Sequence, residues 1–397
     1  MSGEVSLVVA DRRARVAVAA LFLTNGALFA NLLPRYPEIK ADLGMSNSVY
    51  GVSIAAFSGG ALIAGPAAAT LIRRFWSSRV AVAGTIVIAV FALLAGLAPS
   101  ALTFASALLL AGAADAVTDV AQNAHGLRVQ RRYGRSIINS LHAVWSAGAI
   151  LGGLMGAAAI ALHVSRGVHL STSALIFCAT CLIAYRYLLS GPDEHHNPTA
   201  AGTGNSAATV GFATYAVLAC LVVIAIAGAV IEDAGSSWAT LFLLGLGAPG
   251  AIAAFGYISL VGFQFLGRLL GDRLVDRFGQ SAVVRTGGLI VAVGMGSAAA
   301  FPGIATAIAG FGAAGLGSAT LIPAAMQGAD ELPGLRHGTG LTAVTWLLRV
   351  GFVASPPLVG VIADATSLRV GLLVVPAAGV VVAALAGALA LVQSPRE

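Results

Sequence analysis

Asp115 and Asp119 stand four residues apart in an otherwise apolar stretch, with Gln122 and Asn123 one turn further on, so a helix carries all four on one face. A carboxylate held away from bulk water can load and release a proton, which is the chemistry of a proton-coupled carrier. The competing reading is structural, with each Asp paired to an Arg or His of a neighbouring helix. Counting from a helix start near 101, Asp115 lies about 20 Å deep and Asp119 about one turn further. His142 opens the next helix at a depth similar to Asp119, where it would relay that proton or simply satisfy an interface. Trp145, three residues on, offers a flat wall for a sugar-like or amphipathic ligand, or ordinary packing.

Arg349 falls about eleven residues into a later helix and shares a stripe with Thr342, Thr345 and Trp346. A guanidinium at that depth must be neutralised; the expected partner is Asp115, Asp119 or Glu232, the alternative a substrate anion. Glu232 and Asp233 are followed by Gly235-Ser236-Ser237, which would break the helix and expose backbone to a site; if the span ends there, the pair is a solvated mouth. Asn25 and Asn31 are buried candidates for interhelical hydrogen bonds.

The elements that position these groups follow from composition. The chain has 397 residues, 58% hydrophobic and 10% charged, against about 25% charged in soluble domains. Long stretches contain no Asp, Glu, Lys or Arg: 43–72, 80–114, 195–231, 234–267 and 286–329. At about 20 residues per span, several must hold most of two. An integral membrane protein is implied; soluble enzymology, nucleic-acid binding and a secreted disulfide scaffold are excluded. Cys178, Cys181 and Cys220 sit in apolar segments and read as packing residues. No cleavage site follows Arg12, Arg13 and Arg15, so no signal peptide is expected.

Twelve helices are predicted to begin near 15, 47, 79, 101, 139, 170, 212, 247, 282, 303, 338 and 368. Of the 22 basic residues, only Arg35, Lys40, Arg166 and Arg369 fall on one side and Arg349 inside a span; the other 17 gather on the opposite side. The positive-inside rule then puts both termini in the cytoplasm. Residues 190–211, rich in Gly, Pro, Ser, Thr and Asn, read as a cytoplasmic linker between six-helix halves at 1–189 and 212–397. The halves correspond by a constant shift in numbering, which lays Arg73 and Arg74 on Asp276 and Arg277. Parallel repeats of this kind are a plan of secondary transporters with a site between the halves. No G-x-x-x-x-G-K-[ST] sequence is present to support ATP hydrolysis. Gly148, Gly152 and Gly156, and Gly310, Gly312, Gly315 and Gly317, permit close, sliding helix contacts, while Pro356 and Pro357 should kink their span.

The segment GRLLGDRLVDRFG at 267–279 resembles the loop signature of the major facilitator superfamily: Asp276, Arg277 and Gly279 match, and Asp272 stands where the first Gly is usual. The resemblance implies that this loop braces helix ends between conformations. The equivalent LIRRFWSSR departs from it, with Arg73 in the place of the Asp and Trp76 in that of the Gly. Within the superfamily, 118–153 and 232–243 resemble the MosC-like branch. Asp119, Asn123 and His125 match its fourth-span pattern with Gln122 replacing a Met; Glu232 and Trp238 match in the seventh, where Asp233 replaces a Gly and Ser237 an Asp.

The resemblance implies an all-α integral membrane fold of 12 transmembrane helices in two pseudo-symmetric halves. It further implies alternating-access transport of a small polar or amphipathic solute, coupled to protons, in the cell membrane. Export of hydrophobic drugs or metabolites is the alternative. A membrane enzyme or sensor is disfavoured because no H-E-x-x-H or nucleophile triad accompanies Asp119 and His142. No cofactor or metal is called for. The expected partners are the solute, protons and the bilayer, with the protein a monomer.

Overall fold

Four helices begin on a serine whose hydroxyl accepts the backbone N–H three residues on: Ser46 from Val49, Ser100 from Thr103, Ser165 from Val168 and Ser367 from Val370. Such caps satisfy one of the orphan donors that a helix start would otherwise bring to the membrane boundary. All four lie at the same end of the bundle, opposite the basic loops.

The computed structural model describes residues 2–134, 137–193, 212–333, 335 and 338–393. Most of the expected linker, with Arg135, Arg336 and Arg396 of the basic set, lies outside the described residues. Among those described, 12 helices are long and apolar enough to cross a membrane. They are α1 Asp11–Asp42, α2 Asn47–Phe75, α3 Ser77–Gly96, α4 Ala101–Tyr133, α5 Ile138–Ala161, α6 Arg166–Tyr185, α7 Phe212–Gly245, α8 Gly250–Phe278, α9 Gln280–Ala300, α10 Ile304–Asp330, α11 Thr339–Ala365 and α12 Leu368–Val392. The α2 and α8 starts at Asn47 and Gly250, those of α3 and α9 at Ser77 and Gln280, and those of α4 and α10 at Ala101 and Ile304 are all separated by the shift that relates Arg73 to Asp276.

The repeat reaches the backbone. Between α2 and α3, Trp76 has φ 72° and ψ 147°; at the equivalent position between α8 and α9, Gly279 has φ 79° and ψ 153°. Glycine adopts this region freely, whereas a residue with a Cβ is strained there by about 1–3 kcal/mol. The Arg79 guanidinium stacks over the Trp76 ring at 4.1 Å, and Asp193 accepts from the Ser77 N–H and hydroxyl, both at 2.6 Å. Arg128 donates to the carbonyls of Gly191 and Ser190 at 2.9 and 2.6 Å. Residues 190–193, expected to belong to a flexible linker, are therefore tied to α3 and α4.

Within the first half, α5 lies against α1 along a seam where Gly148 and Gly152 meet the carbonyls of Leu23 and Ala27; a Cβ at either would fall within 2.4 Å of them. The halves meet through α2 with α11 and α5 with α8. One expectation about a helix break needs correction. α7 runs unbroken from Phe212 to Gly245 through Gly235-Ser236-Ser237, because a helix in an apolar medium keeps its internal hydrogen bonds rather than open them. α11 remains one helix across Pro356 and Pro357, the residues expected to kink it.

Candidate functional site

Two parallel chains of ring, amide and carboxylate cross the first half. In one, Trp145 of α5 donates its indole N–H to Asn25 Oδ1 of α1 at 2.7 Å, and Asn25 Nδ2 donates to Asp115 Oδ1 of α4 at 2.9 Å. Trp145 is therefore a hydrogen-bond donor as well as a wall. In the other, His142 Nε2 lies 3.2 Å from Asn123 Oδ1, and Asn123 Nδ2 donates to Asp119 Oδ1 at 3.1 Å. An amide that gives its N–H to the carboxylate presents its oxygen to the ring, an arrangement that suits the tautomer of His142 with its proton on Nε2. Helical spacing stacks the chains one turn apart, three residues between the rings and four between the carboxylates.

Gln122, expected on the same face, does not join them. It is buried and donates to the Leu21 carbonyl of α1 at 3.2 Å, on the flank of α4 rather than its cavity face. His125 is also buried, against Ser77 Oγ at 3.0 Å and the Leu189 N–H at 3.3 Å, and secures the end of the first half. Asn31 bridges α1 to α6 through His169 at 2.9 Å.

In the second half Glu232 pairs with Arg268 of α8 at 3.9 Å. Sequence position alone assigns Arg268 to the basic loop side, and Arg349 to one of the carboxylates. Arg349 lines a cleft with Asp119, one of its expected partners, and its charge acts on that carboxylate without an ion-pair contact among the described residues. Asp233 lies beside Glu232 with the Ser355 hydroxyl close to its carboxylate, while its Oδ2 is buried without a hydrogen-bond partner among the described residues.

A cavity of about 220 Å³ lies between the halves, its polar lining drawn from Asn25, Asp115 and Trp145 on one side and Glu232, Asp233 and Gln264 on the other. Tyr36, Tyr257, Phe29, Phe57 and Phe352 supply aromatic walls. A second space of about 500 Å³, bounded by α2, α4 and α11, carries Asp119, Trp346 and Arg349; Asp115 lines both. Trp346 is 56% exposed there.

The end away from the basic loops is closed. Tyr50 of α2 donates its hydroxyl to the Ser237 carbonyl of α7 at 2.8 Å, and its ring meets Trp238 edge-on at 4.9 Å. Trp238 is thus a buried element of the closure, not of the cavity wall. Beyond it, Asp364 of α11 accepts from the backbone N–H groups of Asn47 and Ser48 at 2.9 and 2.7 Å and from the Ser48 hydroxyl at 2.5 Å, capping α2 across the halves. Toward the basic loops, Asp272, Asp276 and Arg277 are exposed, the Arg277 guanidinium lying 5.3 Å from the Phe278 ring centroid; among the described residues no ion pair joins the two Asp residues to a helix end. Asp364, Arg268, Tyr36 and Tyr50 are not candidates from sequence. Asp364 and Arg268 stand near helix ends, where charges are expected anyway, and the tyrosines are indistinguishable from packing.

The model of the Major Facilitator Superfamily matches residues 18–275. The chain is 28% identical over 370 residues to membrane protein MosC of Rhizobium meliloti, covering 92% of this chain and 88% of that one. Among solved structures, the nucleoside transporter NupG is similar with a TM-score of 0.72 at 12% identity, covering 98% of this chain and 100% of NupG. A bacterial homolog to the human lysosomal transporter Spinster, inward-facing and occupied, has a TM-score of 0.73 at 14% identity, with 96% of each chain covered.

Proposed function

The chain belongs to the major facilitator superfamily and is a multi-pass membrane transporter rather than an enzyme, and from that premise we propose that it moves a small polar or amphipathic solute by proton-coupled alternating access. In this reading residues 1–189 and 212–397 are the two rocking bodies, joined through 190–211. The protein sits in the plasma membrane with both termini in the cytoplasm, and the cavity communicates with the cytoplasmic side.

The observation that carries the proposal is the position of Asp115, which borders both the central cavity and the cleft that holds Asp119. A solute arriving in the cavity and a proton held on the Asp119 chain then act on adjacent carboxylates, and each alters the charge that the other meets. Carboxylates inside a membrane protein are costly unless compensated, so a proton on either favours movement of the site through the apolar interior. A second reading, export of a lipophilic solute, draws support from the exposed Trp346 at the side cleft.

The test uses proteoliposomes loaded with a pH-sensitive dye and challenged with sugars, polyols, amines, carboxylates and lipophilic cations. A solute-dependent proton flux that is lost in Asp119→Asn and Asp115→Asn is expected. Solute flux that proceeds unchanged in both variants would remove proton coupling from these residues, and flux confined to lipophilic cations would select the export reading.

A further inference from the structure

The charges around the cavity do not balance. Four carboxylates face the space between the halves: Asp115, Asp119, Glu232 and Asp233. Glu232 has Arg268 at 3.9 Å, and Asp119 has the charge of Arg349 across the cleft. Asp115 receives only the Asn25 amide; Asp233 has the Ser355 hydroxyl nearby but no cationic partner, and its Oδ2 meets no donor among the described residues. Among those residues, no Lys, Arg or His lines the central cavity itself.

The closed end of this cavity is unsatisfied in a second way. Tyr36 also lines it, and its hydroxyl is buried without a partner among the described residues. Tyr36 lies within electrostatic reach of Asp233. Around these two groups the wall is aromatic. An acceptor carboxylate, a phenol oxygen and the faces of several rings form the surroundings that suit a protonated amine, which donates up to three hydrogen bonds and is attracted to aromatic rings.

Resting on the transport reading above, we infer that the central cavity selects solutes bearing a protonated amine, with the ammonium group seated between Asp233 and Tyr36. The amine supplies the positive charge and the donors that this end lacks. A neutral solute of the same shape leaves Asp233 Oδ2 unanswered, and an anionic one adds a like charge among three carboxylates. Buried polar groups left unpaired in this way make a site reject the analogue that lacks the matching group.

Equilibrium binding to detergent-purified protein tests this with two charge series on fixed scaffolds: glucosamine, glucose and glucuronate, and phenethylamine, phenylethanol and phenylacetate. The expected result is that the amine of at least one series binds tenfold or more tightly than its neutral counterpart, and that Asp233→Asn removes this preference. Should Asp233→Asn fail to fold, Glu232→Gln and Asp115→Asn in a folded protein should each weaken amine binding while leaving the neutral compound unaffected. Neutral or anionic members binding as well as the amine, or no member binding, would overturn the inference. Flux of the same compounds into liposomes separates the two claims: a neutral compound that is carried sinks amine selection and leaves transport standing, while an amine that binds but never crosses sinks transport.

Discussion

The indole N–H of Trp145 is linked to the Asp115 carboxylate through one side chain, Asn25, by hydrogen bonds of 2.7 and 2.9 Å. An indole can only donate, so it fixes the Asn25 amide with its oxygen toward Trp145 and its N–H₂ toward Asp115. The carboxylate is thereby held as an acceptor at the border of cavity and cleft, by residues from three helices.

Asn25→Ala leaves both neighbours unpaired and should lower stability by about 1–3 kcal/mol, read as a fall in thermal unfolding temperature in detergent. Combined with Trp145→Phe, the loss should be less than the sum of the single losses, since both changes break one chain. Additive losses would show that the chain is not a unit.

The second chain predicts a kinetic effect. Asn123→Ala separates His142 from Asp119 while removing neither titrating group. The pH profile of solute-driven proton flux between pH ~5 and ~8 should change shape, while solute exchange at equal pH on both sides continues. An unaltered profile would take His142 out of the proton route.

At the closed end, Asp364 holds the α2 helix start by three hydrogen bonds. A capping carboxylate of this kind contributes about 1–2 kcal/mol, or roughly a tenfold population change. Asp364→Ala should therefore lengthen and broaden the distance between spin labels at the exposed positions Val49 and Val361, with native cysteines replaced. A distance distribution identical to that of the unsubstituted protein would place the closure elsewhere, with Tyr50 and Trp238 as the remaining candidates.

The two equivalent interhelix turns, at Trp76 and Gly279, predict opposite responses to the same kind of change. Gly279→Ala imposes strain of about 1 kcal/mol or more at φ 79°. Trp76→Ala retains the strain and loses the Arg79 stacking, whereas Trp76→Gly loses the stacking but relieves the strain. Thermal unfolding should rank Trp76→Gly above Trp76→Ala, and Gly279→Ala below the unsubstituted protein; the reverse order at Trp76 would mean that this backbone is not strained.

Asp193→Ala removes the carboxylate that accepts the Ser77 N–H at 2.6 Å. Hydrogen exchange across the α2–α3 turn should accelerate, with exchange in α9 and α10 unchanged. Equal protection in the variant would mean that the turn holds itself.

Hydropathy alone determined that the chain spans a membrane 12 times, and it located the start of each span after the first within about four residues of its place in the structure, whereas the first helix already begins at Ser2. That information is local: an apolar run of sufficient length must be a helix when no water can satisfy its backbone. The internal repeat was also legible, because the turn charges and turn geometry recur together. Much of the polar side-chain set was visible for the same reason, since a charge in hydrocarbon stands out wherever it occurs.

Partnership was not visible, because it depends on the rotation and approach of helices distant in sequence. Gln122 and Asn123 are adjacent on α4, yet one binds the α1 backbone and the other joins Asp119 to His142. Glu232 took Arg268, whereas sequence position offers Arg349 equally to Asp115, Asp119 and Glu232. Trp238 carried a motif match and became part of the closure with Tyr50. Only helix packing, within each half and between them, decided which carboxylates were answered by an arginine and which, at Asp115 and Asp233, were left facing a shared cavity.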